Sequence, residues 1–211
     1  MRAGSTTELM LIRHAPALTG GCIAGRRDVA ADCSDGAGFA ALTSALGAVD
    51  HRLTSPALRC RQTAAALWPD HAAASDPALW EQDFGDWEGI AFGDLPDLGN
   101  LSGAVLAEHR PPGGESFADV CARVGPALAA LADHGGRVAI VAHAGTVRAA
   151  LALALGPAAQ AGGLTLAFQV APLSMTRITA VPGGGWVVHC VNWTPVTGVP
   201  VTATAATWIG T

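Results

Sequence analysis

The sequence predicts an α/β fold in which helices cover a mostly parallel β-sheet. Three apolar segments typical of buried strands, at residues 9–12, 49–55 and 137–142, alternate with helical segments. Each apolar segment ends in polar residues. Ligands of open α/β sheets bind at the carboxyl ends of the strands, so we expect the functional residues to follow these segments.

The elements alternate regularly except in one stretch. Residues 90–112 contain several Gly and Pro breaks and predict a small cap or insertion with some helix. The helix at 116–133 begins with Ser116 and Asp119, an N-cap pattern, and ends at two glycines. The predicted order is strand 9–12, loop 19–35, helix 38–46, strand 49–55, helix 57–67, helix 116–133, strand 137–142, helix 146–155 and strands 164–170, 174–181 and 185–192.

Length and composition indicate one globular domain over residues 1–211. Half of the 211 residues are hydrophobic and 14% are charged, which allows a sizeable core. An uninterrupted apolar run of membrane-spanning length is missing, and residues 1–8 lack the pattern of a signal peptide. We therefore expect a cytoplasmic protein that does not bind a membrane.

The charged residues restrict the chemistry. The net charge is −5, which argues against a nucleic-acid partner, and the 12 basic residues are all arginines. Schiff-base and P-loop lysines are therefore excluded, and an anion must be bound by Arg, His or backbone N–H groups. The five scattered cysteines predict reduced thiols rather than a zinc site. We predict no metal and no cofactor.

Two histidines follow predicted strands. Arg13 and His14 come directly after the first strand, and His143 follows the strand at 137–142. Ala144 then opens a helix whose N-terminal amides favour an anion. Taken singly, each histidine is equally compatible with a surface loop or with a hydrogen-bonded core position.

Two further segments carry charged residues. Arg59 lies in the first turn of a helix, where the helix dipole disfavours a cation, and a bound phosphate would explain that position. Residues 80–89 place four acids among Trp, Phe and Gly, and a carboxyl group desolvated by Trp is suited to donate a proton. A solvated surface arginine and an ordinary acidic loop are the alternatives.

Taken together, five segments resemble the histidine phosphatase superfamily, also called the phosphoglycerate mutase-like family. They occur in the family's order between residue 9 and about residue 155. One departure is Ala15, where the family usually has Gly. The segments are LIRHA (11–15), SPALRCRQTA (55–64), LWEQDFGDWEG (79–89), PPGGESFADVCARV (111–124) and VAHAGTVRA (141–149).

The resemblance implies a three-layer α/β/α sandwich and a metal-independent, acid-type phosphatase. It implies that His14 is the nucleophile that becomes phosphohistidine, and that Glu81 is the proton donor, with Asp83 and Glu88 as alternatives. The residues expected to be catalytic are Arg13, His14, Arg59, Glu81 and His143, and those expected to bind substrate are Arg13, Arg26, Arg59, Ser116, His143 and Ala144.

One loop suggests a branch of the family. Residues 14–16 and 21–29 are similar to the H-x-P…G-x-C-Y-G-R-x-D-x-P-L pattern of alpha-ribazole phosphatases, although Ala24 and Ala30 replace its Tyr and Pro. The expected reaction is hydrolysis of alpha-ribazole-5′-phosphate to alpha-ribazole in cobalamin synthesis. The alternatives are a broad-specificity or sugar-phosphate phosphatase, a phosphoglycerate mutase, and a non-catalytic binding protein.

The expected partner is therefore a small phosphorylated metabolite. A homodimer is the other partner considered, because the apolar segment at residues 196–209 is compatible with a dimer surface as well as with a disordered tail.

Overall fold

A six-stranded mixed sheet forms the centre of the molecule. The computed structural model describes residues 6–161 and 163–195, so the segment at 196–209 lies outside the described residues. The strands lie in the order β3-β2-β4-β1-β5-β6. They are β1 (Thr7–Arg13), β2 (His51–Thr54), β3 (Ala74–Ser75), β4 (Gly136–Ala142), β5 (Met175–Ala180) and β6 (Trp186–Trp193).

Strands β1 to β4 are parallel, and β5 and β6 are added antiparallel at the edge beyond β1. The helices are α1 (Gly36–Leu46), α2 (Leu58–Leu67), α3 (Gly103–Glu108), α4 (Phe117–Ala130), α5 (Ala144–Leu155) and α6 (Pro157–Ala161). The predicted mostly parallel α/β architecture is confirmed.

The helices cover both faces of the sheet because side chains of a strand alternate between the two faces. Leu9 and Leu11 of β1 pack in one core with residues of α4 and α5. Met10 and Ile12 pack in a second core with residues of α1 and α2. The central strands are therefore apolar on both faces, and the molecule has the predicted three layers.

The helix starts follow the predicted chemistry. The side chain of Asp35 accepts a hydrogen bond from the amide of Gly38 at the start of α1. Ser116 and Asp119 form a reciprocal capping box at the start of α4. In residues 90–112, the Ser102 hydroxyl accepts a hydrogen bond from the amide of Val105 at the start of the short helix α3. None of the helices within the described residues is long and apolar enough to cross a bilayer.

The predicted strand at 164–170 is wrong. Residues Leu164–Ala167 form a 3₁₀ turn, which follows Gly163 in the left-handed conformation. The turn exposes Leu164 and buries Thr165, the opposite of what the alternation of apolar and polar residues predicted. The two-residue strand β3 was not predicted, because both of its residues are small and exposed.

Candidate active site

The carboxyl ends of β1 and β4 bring His14 and His143 together. The two strands are parallel neighbours, with Arg13 paired in register with Ala142. The amide of His14 donates to the carbonyl of Ala142 at 3.0 Å. The two imidazole rings consequently meet edge to face, with centroids 5.3 Å apart.

The His14 ring is held as a neutral imidazole with a defined tautomer. Its Nδ1 lies 2.7 Å from the carbonyl oxygen of Ala15. A carbonyl only accepts hydrogen bonds, so Nδ1 carries the proton and Nε2 has a free lone pair. Burial, together with the charges of Arg13 and Arg59, lowers the pKa of His14 to about 3. At neutral pH the His14 ring is therefore uncharged, with the lone pair of Nε2 available.

Ala15, the departure from the family pattern, fits without distortion. It is fully buried in the core shared with α1 and α2. Its backbone amide has a hydrogen-bond partner, since it donates to Oγ1 of Thr63 at 2.9 Å. The chain turn behind His14 thus tolerates a methyl group.

Arg59 is fixed by the loop between β1 and α1. Its terminal nitrogens donate to the carbonyl oxygens of Gly25, at 2.7 Å, and Arg27, at 3.0 Å. Asp28 in the same loop accepts from the amide of Leu58 in the first turn of α2. Arg59 is almost completely buried, so the loop fixes the direction of a cation that points into the site.

Arg13 supplies a second buried cation. One of its terminal nitrogens donates to the carbonyl oxygen of Val170 at 2.5 Å. Burial lowers the pKa of Arg13 to about 10, and the charge of Glu81 opposes that shift. The guanidinium therefore stays protonated at neutral pH. Within the described residues, the Nε atoms of Arg13 and Arg59 have no hydrogen-bond partner.

His143 lies behind the two arginines. Its Nδ1 is 3.2 Å from a terminal nitrogen of Arg59, which can only donate, and its Nε2 is 2.8 Å from Oγ of Ser55. Burial and the charge of Arg59 hold the pKa of His143 well below its ordinary value. Because both nitrogens have partners, His143 here supports Arg59, and direct contact with a phosphoryl group would require rotation of the ring.

The Glu81 carboxylate is held next to the start of α5. Its Oε1 accepts from the amides of Gln82, at 3.0 Å, and Gly145, at 3.1 Å. These two bonds leave Oε2 without a partner among the described residues, so it can exchange a proton with a bound molecule. The carboxylate therefore lies at the N-terminal end of α5, where backbone amides carry partial positive charge.

Arg123 of α4 holds the segment that carries Glu81. Its guanidinium donates to three carbonyl groups of this segment, those of Ala78, Trp80 and Glu81, at 2.8, 3.0 and 3.3 Å. Glu115 in turn accepts from Arg123 at 2.8 Å. Neither residue was predicted to be functional, although both lie in the segment 111–124 that carries the resemblance.

Most of the predicted site residues border one cavity of about 240 Å³. Of the three candidate proton donors, Glu81 borders it and Asp83 and Glu88 do not. The predicted residues in its wall are Arg13, His14, Arg59, Glu81 and Ala144, and they are joined by Thr19, Cys22, Phe84 and Phe92.

Arg26 and Ser116, which the sequence predicts to bind substrate, do not border this cavity. The guanidinium of Arg26 pairs with Glu115 at 2.9 Å and with Asp83 at 3.6 Å. The Ser116 hydroxyl belongs to the capping box of α4. Arg26 therefore holds two loops together, and Ser116 has the helix-capping role that its sequence pattern predicts.

Within residues 6–161 and 163–195, the His, Cys, Asp and Glu side chains form no group of three that could hold a metal ion. The positive charge that borders the cavity comes from Arg13 and Arg59.

Solved structures confirm the fold. A mycobacterial glucosyl-3-phosphoglycerate phosphatase superimposes with a TM-score of 0.76 and 24% identity, over 90% of this chain and 100% of that chain. The alpha-ribazole phosphatase of Shigella flexneri gives a TM-score of 0.73 and 25% identity, over 88% of this chain and 96% of that chain.

A bifunctional protein of Mycobacterium tuberculosis is 32% identical over a 209-residue alignment, and this alignment covers 90% of this chain. The chain spans about 55% of the length of that relative. A model of the histidine phosphatase superfamily (branch 1) matches residues 9–194, a range that contains every residue of the site described above. The chain therefore belongs to the histidine phosphatase superfamily.

Proposed function

We propose that this protein hydrolyses phosphomonoesters in two steps through a phosphohistidine on His14. The observation that carries the proposal is the Nδ1 bond to Ala15, which leaves the Nε2 lone pair free beside two buried arginines. In the first step Nε2 attacks phosphorus, the bond from phosphorus to the ester oxygen breaks, and Glu81 protonates the leaving alkoxide. In the second step water gives a proton to Glu81 and attacks phosphorus, which breaks the P–N bond.

The proposed chemistry needs no metal ion. Arg13 and Arg59 place two positive charges beside His14, where the non-bridging oxygens of the phosphoryl group gain charge in the transition state. The amide end of α5 at Ala144 adds a partial positive charge at the same wall.

Two observations favour a phosphatase over a mutase. A mutase must hold a bisphosphate, for which the stretch between residues 89 and 112 offers a single arginine, Arg110. Arg110 is paired with Asp119 at 2.7 Å, and its side chain is 60% exposed. It is therefore engaged at the surface rather than in the cavity.

Alpha-ribazole-5′-phosphate is the first candidate substrate. The similarity of residues 21–29 to the alpha-ribazole phosphatase pattern supports it, as does the Shigella flexneri structure. However, Gly25, Arg27 and Asp28 of that loop hold Arg59 and α2, which any phosphatase of this fold would need. Glucosyl-3-phosphoglycerate is therefore a second candidate, supported by the mycobacterial phosphatase structure.

The experiment that tests the activity measures phosphate release in EDTA from p-nitrophenyl phosphate, alpha-ribazole-5′-phosphate and 3-phosphoglycerate. We expect turnover without added metal. Preference for the ribazole ester would place the enzyme in cobalamin synthesis. Turnover of none of these esters would contradict the proposal and favour the non-catalytic binding protein.

The nucleophile is tested by substituting His14. We expect His14→Ala to lower turnover of p-nitrophenyl phosphate by at least about 1000-fold, because it removes the Nε2 lone pair that lies beside Arg13 and Arg59. Rapid mixing with ³²P-labelled ester followed by alkaline quench should leave label on the native protein and none on the variant. Equal labelling of both would assign the phosphoryl group to another residue.

A further inference from the structure

A second cavity adjoins the catalytic cavity at Glu81. Glu81, Phe84 and Ala144 border both cavities, so the Glu81 carboxylate lies at their boundary. The second cavity measures about 90 Å³. A water-sized group fills roughly 10–15 Å³ on this scale, so the cavity has room for a compact group of about seven non-hydrogen atoms.

Most of the wall of the second cavity is apolar. The side chains reach it from residues 90–112, from the start of α4 and from the 3₁₀ turn that follows α6. They partly exclude water, and exclusion of water strengthens any charged hydrogen bond made inside. The apolar residues are Phe84, Leu98, Leu106, Pro111, Phe117 and Leu166.

Two polar side chains in this wall have unused hydrogen-bonding groups. Arg148 of α5 donates from Nε to the carbonyl oxygen of Phe168 at 3.1 Å, and its two terminal nitrogens make no hydrogen bond to any described residue. His109 stacks on Trp87, with ring centroids 5.5 Å apart. Its Nε2 is buried and has no partner within residues 6–161 and 163–195.

Arg148 is half-buried, and its terminal nitrogens are open to a group bound in the second cavity. The two terminal nitrogens of Arg148 form a planar fork that matches the two oxygens of a carboxylate. The ring of His109 borders the same cavity. The second cavity thus has the size and the donors for a small organic acid.

We infer that the alcohol portion of the substrate enters the second cavity and carries a carboxylate that binds Arg148. The inference rests on the proposed function, because Glu81 can protonate only an ester oxygen placed beside it. An ester oxygen there directs the phosphoryl group towards His14 and the alcohol towards Arg148. The substrate class is therefore the phosphate esters of compact hydroxy acids, to which alpha-ribazole-5′-phosphate, whose alcohol has no carboxylate, does not belong.

The test compares 3-phosphoglycerate with glycerol 3-phosphate, which differ only in a carboxylate against a hydroxymethyl group. We expect kcat/KM to favour the acid by about 10- to 100-fold, the effect of one charged hydrogen-bonded pair. Arg148→Met should bring this ratio close to one. The matched control is Arg61→Met, since Arg61 is an exposed arginine paired with Asp28 at 3.9 Å, and it should keep the ratio.

Inhibition provides a readout that does not depend on turnover of the acid. D-Glycerate should inhibit hydrolysis of p-nitrophenyl phosphate more strongly than glycerol does, and Arg148→Met should remove the difference. If Arg148→Met does not fold, Arg148→Lys keeps a cation in the wall and removes the planar fork. That variant should lower the ratio of the two substrates by several-fold.

Two outcomes separate this inference from the proposed function. Equal kcat/KM for the two esters, with p-nitrophenyl phosphate turned over and His14 labelled, would overturn the inference and leave the proposed function intact. A preference for alpha-ribazole-5′-phosphate over 3-phosphoglycerate would overturn it as well. Absence of both turnover and labelling would overturn both proposals.

Discussion

The backbone oxygen of Ala15 decides which nitrogen of His14 can react. It holds the proton on Nδ1, and the nearby arginines together with burial keep the ring neutral. A neutral ring that loses this hydrogen bond would still be uncharged, but its lone pair could sit on either nitrogen. The sequence predicts the identity of this residue, whereas the tautomer depends on the path of the chain after β1.

The loss of rate on substituting Glu81 should increase with the pKa of the leaving alcohol. We expect Glu81→Gln to slow hydrolysis of alkyl phosphates about 100- to 10,000-fold, since proton donation contributes that much. Hydrolysis of p-nitrophenyl phosphate, whose leaving group needs little protonation, should slow far less. Rates for a series of esters with different leaving-group pKa values measure this difference.

Asp83→Asn provides the matched control for Glu81. Asp83 does not border the catalytic cavity, and its Oδ1 accepts from the amide of Gly85 at 2.8 Å. The slope of rate against leaving-group pKa should therefore match that of the native enzyme. A steeper slope in Asp83→Asn than in Glu81→Gln would transfer the acid role to Asp83.

Contacts with distant parts of the chain explain why the sequence could not show where the side chain of Arg26 lies. Arg13 and His14 could be predicted because they end a buried strand and thus lie at the ligand-binding edge of the sheet. Arg26 is also a cation in a glycine-rich loop, but its partners, Glu115 and Asp83, are distant in the sequence. Only the folded chain shows that these acids occupy its guanidinium.

At the scale of elements, Arg123 connects helix α4 to the segment that carries Glu81. Arg123 bonds the carbonyl oxygens of Ala78, Trp80 and Glu81. It does not border the catalytic cavity, so it acts as a positioning residue. Its identity could be read from the sequence, but its role could not, because the segment it holds is about 40 residues away.

We expect Arg123→Met to lower the free energy of unfolding by roughly 2–4 kcal/mol, because it leaves three carbonyl groups without their donor and removes one of the two arginines paired with Glu115. It should also slow hydrolysis of alkyl phosphates at least about tenfold more than that of p-nitrophenyl phosphate. Urea unfolding and the two rates measure these effects. Arg123→Lys should partly restore the preference, and equal slowing of both esters would mean a structural role alone.

The spacing of apolar residues predicted most helices and strands, but it gave a wrong strand at residues 164–170. The pattern LTLAFQV alternates like a strand, yet residues Leu164–Ala167 form a 3₁₀ turn. The turn contributes Leu166 to the second cavity. Here the contacts of the turn with α3 and α5 outweigh the local pattern.

For the whole molecule, the buried histidines link stability to pH. The folded-state pKa of His14 is lowered from 6.5 to about 3, so the unfolded chain binds a proton that the folded chain does not. The stability that comes from the neutral His14 is fully present above 6.5, the pKa of His14 in the unfolded chain, and is lost as the pH falls below it. His143 has the same sign. His14 alone should cost roughly 2 kcal/mol between pH 7 and pH 5.

Urea unfolding of the native protein and of His14→Ala at pH 7, 6 and 5 measures this linkage. The variant should lose less stability over this range, by the contribution of one proton. Parallel pH profiles would show that His14 titrates in the folded protein near its ordinary pKa.

The overall architecture could be predicted because strands β1 and β4 are apolar on both faces, which requires a covering layer on each side. The two cavities could not be predicted, since their walls combine residues from separate parts of the chain. The second cavity, for example, needs Leu98 from the insertion, Arg148 from α5 and Leu166 from the turn.

The position of Glu81 at the boundary of both cavities determines the order of events in the proposed cycle. Its carboxylate is tied to the amide of Gly145, so the departing alcohol and the attacking water must use the same side of the same group in turn. The alcohol therefore leaves first and inorganic phosphate last. An added alcohol that reaches this place before water would itself accept the phosphoryl group, and the hydrolase would act as a phosphotransferase.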